Sequence, residues 1–131
     1  AGDANLALWG LPAAMLGHTY PLFAKFKGGK GVATAMGGLL GVMPGCLLIG
    51  LVSWGVIFVT TRYVAVASIG FGLSLPLCSI IGYWNADDKS GHFSKVILSL
   101  IIMVWIIWRH RSNLQRLKEG TENRFERKTK D

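Results

Sequence analysis

Val64 to Tyr83 reads VAVASIGFGLSLPLCSIIGY, twenty residues without a charged side chain. As a helix such a run reaches ~30 Å, the hydrocarbon thickness of a bilayer. It is the strongest single membrane span in the chain, with Pro76 expected to kink it. Arg62 and Tyr63 precede it as an interfacial pair. Residues 84–92, WNADDKSGH, follow as a polar loop with turn-forming Asn and Asp.

The rest of the chain repeats this alternation. Val32 to Thr60 is one long apolar run, too long for a single crossing and interrupted at Pro44-Gly45. The Pro-Gly pair predicts two shorter helices joined by a turn. The first of them carries Gly37, Gly38 and Gly41, small residues that let helices approach closely. Phe93 to Trp108 is the last span, and Asn5 to Gly17 is a first apolar run, short for a crossing. The 131 residues are 51% hydrophobic and 16% charged, with a mean hydropathy of +0.42, which excludes an ordinary soluble domain. The expected fold is therefore all-α: a polytopic integral membrane helical bundle. About five membrane segments are expected, two of them short and joined at Pro44-Gly45. Residues 1–131 form one domain, with a basic tail over 112–131.

Charge supports a topology drawn without it. Counting crossings, the loop before Val32, Arg62 and the tail from Arg109 share one side. That side carries Lys25, Lys27, Lys30, Arg62, Arg109 and Arg111. The other side, with Pro44-Gly45 and Asp87-Asp88-Lys89, carries a single lysine. The excess of Lys and Arg makes the first side cytoplasmic. The net charge of +7 sits mainly in loops and tail. It points to anionic lipid headgroups and a phosphorylated substrate, not to nucleic acid. Cys46 and Cys78 lie in apolar runs and read as free buried thiols, and no metal-ligand spacing or cofactor motif is present.

The densest chemistry lies in Gly17–Thr34, GHTYPLFAKFKGGKGVAT. Pro21 and the glycines place a loop or half-helix there, and Val32 opens a helix. Gly28, Gly29, Lys30 and Gly31 then lie at a helix N-terminus, where free backbone N–H groups favour an anion. Lys30 can bind phosphate as a point charge, or meet anionic lipid as a juxtamembrane lysine; the residues alone leave both open. The Walker pattern is not met, since Gly31 follows Lys30. His18 ends an apolar run, a place where a histidine is commonly structural. His110, Asn113 and Arg116 are spaced by three and share a helical face, either as a donor-rich stripe or as part of a solvated basic tail. Ser68 lies just inside the boundary, where a serine usually bonds its own helix. His92 lies on the opposite side and carries no assignment.

These residues identify a family. GHTYPLFAKFKGGKGVAT, then RYVAVASI, then HRSNLQRLKEGTE resemble the bacterial acyl-phosphate:glycerol-3-phosphate acyltransferases of the PlsY type over Gly17 to Phe125. The resemblance implies a multi-pass protein of the bacterial inner membrane, active at the cytoplasmic face. It implies acyl transfer from acyl phosphate to the sn-1 hydroxyl of glycerol 3-phosphate, giving 1-acylglycerol 3-phosphate and phosphate, with no cofactor and as a monomer. Lys30 and the backbone of Gly28, Gly29 and Gly31 would bind phosphate. Ser68, His110 and Asn113 would hold glycerol 3-phosphate, and His18 would position the site. Arg116 and Glu122 would organise the tail against the loop. The family's earlier Ser-Gly-Asn-x-Gly-Ala-Thr-Asn motif has no match here, so the chain is expected to be the C-terminal portion.

Acyl phosphate is already activated, so no acyl-enzyme is required. The protein must hold two phosphate-bearing molecules together against their repulsion. A substrate phosphate oxygen is expected to take the hydroxyl proton, with His18 or His110 as the rival base. The alternative reading is an inactive remnant or a non-catalytic membrane protein with a cytoplasmic phosphate site.

Overall fold

The computed structural model describes residues 9–14 and 32–126, and every regular element among them is helical. After a helical segment at residues 9–14 come α1 (Val32–Val42), α2 (Pro44–Thr61), α3 (Val64–Asn85), α4 (Lys89–Arg109) and α5 (Arg111–Glu119). Three of these, α2, α3 and α4, are long and apolar enough to cross a membrane, with mean hydropathies of 1.8, 2.1 and 1.8. α1, with 11 residues, is too short to do so alone.

Two boundaries differ from expectation. The α1–α2 joint is Met43, which lies outside helical geometry at φ −150° and ψ 72°. Pro44 and Gly45 instead form the first turn of α2. The cause is the proline ring, which disfavours helical geometry in the residue before it, while Pro44 itself suits a helix start, where its missing N–H is not needed. The break therefore falls one residue early. α2 keeps 18 residues, ~27 Å of helix, and is of spanning length. The polar loop also shrinks to Ala86–Asp88, because α3 runs on to Asn85 and α4 begins at Lys89. Asp88 caps α4: its carboxylate accepts from the Ser90 amide at 3.1 Å and the Ser90 hydroxyl at 2.8 Å. That cap draws Ser90–His92 into the helix. Pro76 lies within α3.

α3 is the central helix and packs along both α2 and α4. Small residues set the spacing. At Gly50 of α2 an added Cβ would fall 2.7 Å from the Phe71 ring, and at Gly72 of α3 it would touch Ile106 at 3.4 Å. Phe71, Leu75, Ile102 and Ile106 are fully buried between the helices, joined by Leu39 of α1. On the outer face of α2, Leu48, Val52, Val56 and Val59 are exposed, as a helix solvated by lipid requires. Deeper polar groups are satisfied inside the bundle. The Ser79 and Ser99 hydroxyls hydrogen-bond across α3 and α4 at 2.7 Å, one donating to the other, and the hydroxyl that accepts donates its own proton to a carbonyl of its helix.

Candidate functional site

The α3–α4 contacts set a register that reaches the site. Ser79 meets Ser99. Seven residues back along α3 and seven on along α4, Gly72 meets Ile106. One further turn along this antiparallel pair reaches Ser68 and His110, which therefore stand level at the same end. Both are buried, at 4% and 3% exposure, so each side chain is committed to the interior. α2 reaches the same level in the other direction: the Trp54 indole N–H donates to the Ser68 hydroxyl oxygen at 3.4 Å.

His110 is the one residue between α4 and α5. Its ring Nδ1 lies 2.8 Å from the Ile106 carbonyl, which can only accept, so the proton sits on Nδ1. In the neutral ring Nε2 then carries the lone pair. Three residues on, Asn113 is buried in the first turn of α5. Its amide donates to Glu122 Oε1 at 2.7 Å, while Arg116 Nε donates to Glu122 Oε2 at 2.9 Å. One carboxylate thus clasps two positions of α5 from the tail. Gly120, left-handed at φ 73°, ends α5 and turns the chain back toward it.

The tail beyond Glu122 returns to the α2–α3 connection. The Phe125 amide donates to the Arg62 carbonyl at 2.8 Å. Its ring meets Phe58 edge-on at 5.7 Å, and Phe58 stacks on Trp54 at 5.0 Å. The Arg124 guanidinium lies 6.0 Å from the centre of the Tyr63 ring. Arg62 is left-handed at φ 64°, the geometry that lets two residues link α2 to α3. Trp54 and Phe125 were not singled out in the sequence. A tryptophan deep in an apolar run needs a partner for its N–H, and Phe125 is the lone aromatic of a charged tail; those were the available signals.

The ends of the bundle divide as the crossing count requires. Arg62, Arg109 and α5 share one end, tied by Phe125. Pro44, Gly45, His92 and Lys95 line one cavity at the other, so that end holds Lys95 as well as Lys89 and not the single lysine expected. Of the expected site residues, the structure therefore places Ser68, His110, Asn113, Arg116 and Glu122 at one end. His18, Gly28, Gly29, Lys30 and Gly31 lie outside the described residues.

Fold and site together define a polytopic helical membrane protein with buried hydrogen-bonding side chains gathered at one end. A family model described as glycerol-3-phosphate acyltransferase matches residues 4–120, and the chain belongs to that family. It is 45% identical over 123 residues to a glycerol-3-phosphate acyltransferase of Geobacter sulfurreducens, covering 94% of this chain and 59% of that protein. It is 38% identical over 126 residues to that of Methylobacillus flagellatus, covering 95% and 60%. Two crystal structures of PlsY, an integral membrane glycerol 3-phosphate acyltransferase, match with a TM-score of 0.78 and 39% identity. They are the glycerol 3-phosphate and lysophosphatidic acid forms, and the match covers 88% of this chain and 54% and 55% of theirs. The chain thus spans a little over half the length of these relatives.

Proposed function

We propose that this chain carries part of the active site of an acyltransferase that moves an acyl group from acyl phosphate to the sn-1 hydroxyl of glycerol 3-phosphate. The products are 1-acylglycerol 3-phosphate and inorganic phosphate, and the step belongs to phospholipid biosynthesis. The single observation that carries the reading is the register that sets Ser68 level with His110, with Asn113 one turn on. A hydroxyl and an imidazole at one level, with an amide one turn on, suit a polyhydroxyl phosphate ester. Lys30 with the Gly28–Gly31 backbone supplies the charge that a second phosphate demands. His18 positions the loop, and Arg116 and Glu122 fix α5. The site faces the cytoplasm of the bacterial inner membrane, residues 112–131 form its cytoplasmic tail, and the protein acts as a monomer.

The donor is a mixed anhydride, so the acceptor hydroxyl attacks its carbonyl carbon directly and phosphate leaves. A phosphate oxygen of a substrate takes the hydroxyl proton. The side chains neutralise and align two anions in one site. Full-length protein in membranes, given glycerol 3-phosphate, should consume acyl phosphate and leave acyl-CoA untouched. Lys30→Ala should raise KM for glycerol 3-phosphate at least tenfold. Use of acyl-CoA alone would sink the donor assignment, and an unchanged KM would sink the role of Lys30. Loss of turnover in His110→Ala or His18→Ala out of proportion to the change in KM would shift the proton to a histidine.

A further inference from the structure

At the end of the bundle away from Ser68 and His110, two thiols meet. The Cys46 and Cys78 sulfurs are 2.7 Å apart, one in the first turn of α2 and the other on α3. Both residues are partly exposed, and both line a cavity of about 330 Å³ together with His92 and Lys95. We infer that Cys46 and Cys78 form a reversible disulfide that staples α2 to α3 at the end remote from the site.

Three observations carry this. The separation is already well inside sulfur–sulfur van der Waals contact, and a bond of ~2.05 Å needs only a small side-chain adjustment. The cavity supplies access for an external disulfide. The topology gives the bond a mechanical meaning. The α2–α3 hairpin is closed at one end by the two-residue link Arg62–Tyr63. A Cys46–Cys78 bond closes the other end and makes the helix pair a covalent ring, one wall of which holds Ser68.

The oxidant is an external disulfide. The thiolate of one cysteine attacks a sulfur of that disulfide, forming a mixed disulfide and expelling one thiolate. The thiolate of the other cysteine then attacks the protein-side sulfur, forming the Cys46–Cys78 bond and expelling the second thiolate. Two protein thiols are oxidised, the external disulfide is reduced to two thiols, and the two protons lost by the protein end on them.

Full-length protein in membranes is incubated with oxidised glutathione, quenched with N-ethylmaleimide in denaturant, and digested for mass spectrometry. The expected result is loss of both maleimide adducts and a linked peptide pair two hydrogens lighter than its parts, reversed by dithiothreitol. Cys46→Ser and Cys78→Ser should each leave a single glutathionylated or alkylated cysteine. Persistence of both maleimide adducts, separate glutathione adducts on both residues, or a dithiothreitol-sensitive dimer in place of the internal bond would each overturn the inference. The decisive readout is on the unsubstituted protein, so it does not depend on a variant's folding.

Discussion

Glu122→Ala is the sharpest perturbation of the site's scaffold. Glu122 accepts from Asn113 at 2.7 Å and from Arg116 at 2.9 Å. The two bonds are not equal. The Glu122 side chain is 9% exposed but that of Arg116 is 46% exposed. A hydrogen bond to a charged group contributes about 1.5–3 kcal/mol, whereas a solvent-screened ion pair contributes about 0.2–1 kcal/mol. The Asn113 bond should therefore dominate. Glu122→Ala should cost the docked tail about 2–3 kcal/mol, roughly a 30- to 150-fold shift toward the undocked form. Glu122→Gln keeps an acceptor for Asn113 and should cost about 1 kcal/mol, with Arg116→Ala at or below that. Hydrogen exchange of the Phe125 amide reads the equilibrium, because it donates to the Arg62 carbonyl only when the tail is down. The loss of protection should be greatest in Glu122→Ala, smaller in Glu122→Gln and smallest in Arg116→Ala. Equal losses for Glu122→Ala and Arg116→Ala would show that the ion pair dominates. Unchanged Phe125 protection in Glu122→Ala would show that the aromatic contacts hold the tail without the clasp.

Gly50→Ala and Gly55→Ala should separate in thermal stability. Both gain helix propensity of up to ~1 kcal/mol, but a Cβ at Gly50 strikes the fully buried Phe71 ring, at a cost of ~1–3 kcal/mol, while one at Gly55 meets nothing within 4 Å. Gly50→Ala should therefore melt lower than the parent and Gly55→Ala no lower. A double-mutant cycle of Ser79→Ala and Ser99→Ala should give a coupling near ~0.6 kcal/mol by reversible unfolding in lipid or detergent; additivity would deny that the 2.7 Å contact stabilises the bundle. Hydrogen bonds from the Ser90 hydroxyl and amide hold the Asp88 carboxyl below the usual carboxylate range. Because the folded value is the depressed one, the cap's contribution is complete above the unfolded value of ~3.9 and is lost as pH falls through the lower folded value. Corrected for intrinsic rates, exchange of the Ser90 amide should rise only in that acid window, and Asp88→Ala should abolish the dependence.

Two spans were readable because hydrocarbon is an undemanding solvent: any run of apolar residues long enough satisfies it, and α3 and α4 announce themselves by composition, whereas α2 was expected to be short and is of spanning length. Boundaries were read less well, for local reasons. Pro44 moved the helix break onto Met43 through its ring, and the Asp88 side chain recruited Ser90–His92 into α4. Both effects act through one residue's geometry, which hydropathy averages away. Neighbouring thiols were hidden for a related reason. Cys46 and Cys78 lie 32 positions apart in separate runs, and only the packing of α2 on α3 brings them together.

The site divides along the same line. His110, Asn113 and Arg116 could be grouped from their spacing, because one helical face is a local property. Ser68 could not, since a serine inside a span usually bonds its own backbone and its sequence neighbours say nothing of α4. What joins it to His110 is the register fixed far from the site, by Ser79 with Ser99 and by Gly72 with Ile106. Register in an apolar helix pair depends on where small and hydroxyl-bearing residues allow close approach, and a slip of one turn would carry Ser68 ~5 Å past His110. The glycines and serines along α3 therefore set, from a distance, the level at which Ser68 faces His110, while the Glu122 clasp and the Phe125 tether hold α5 and the α2–α3 link at that end.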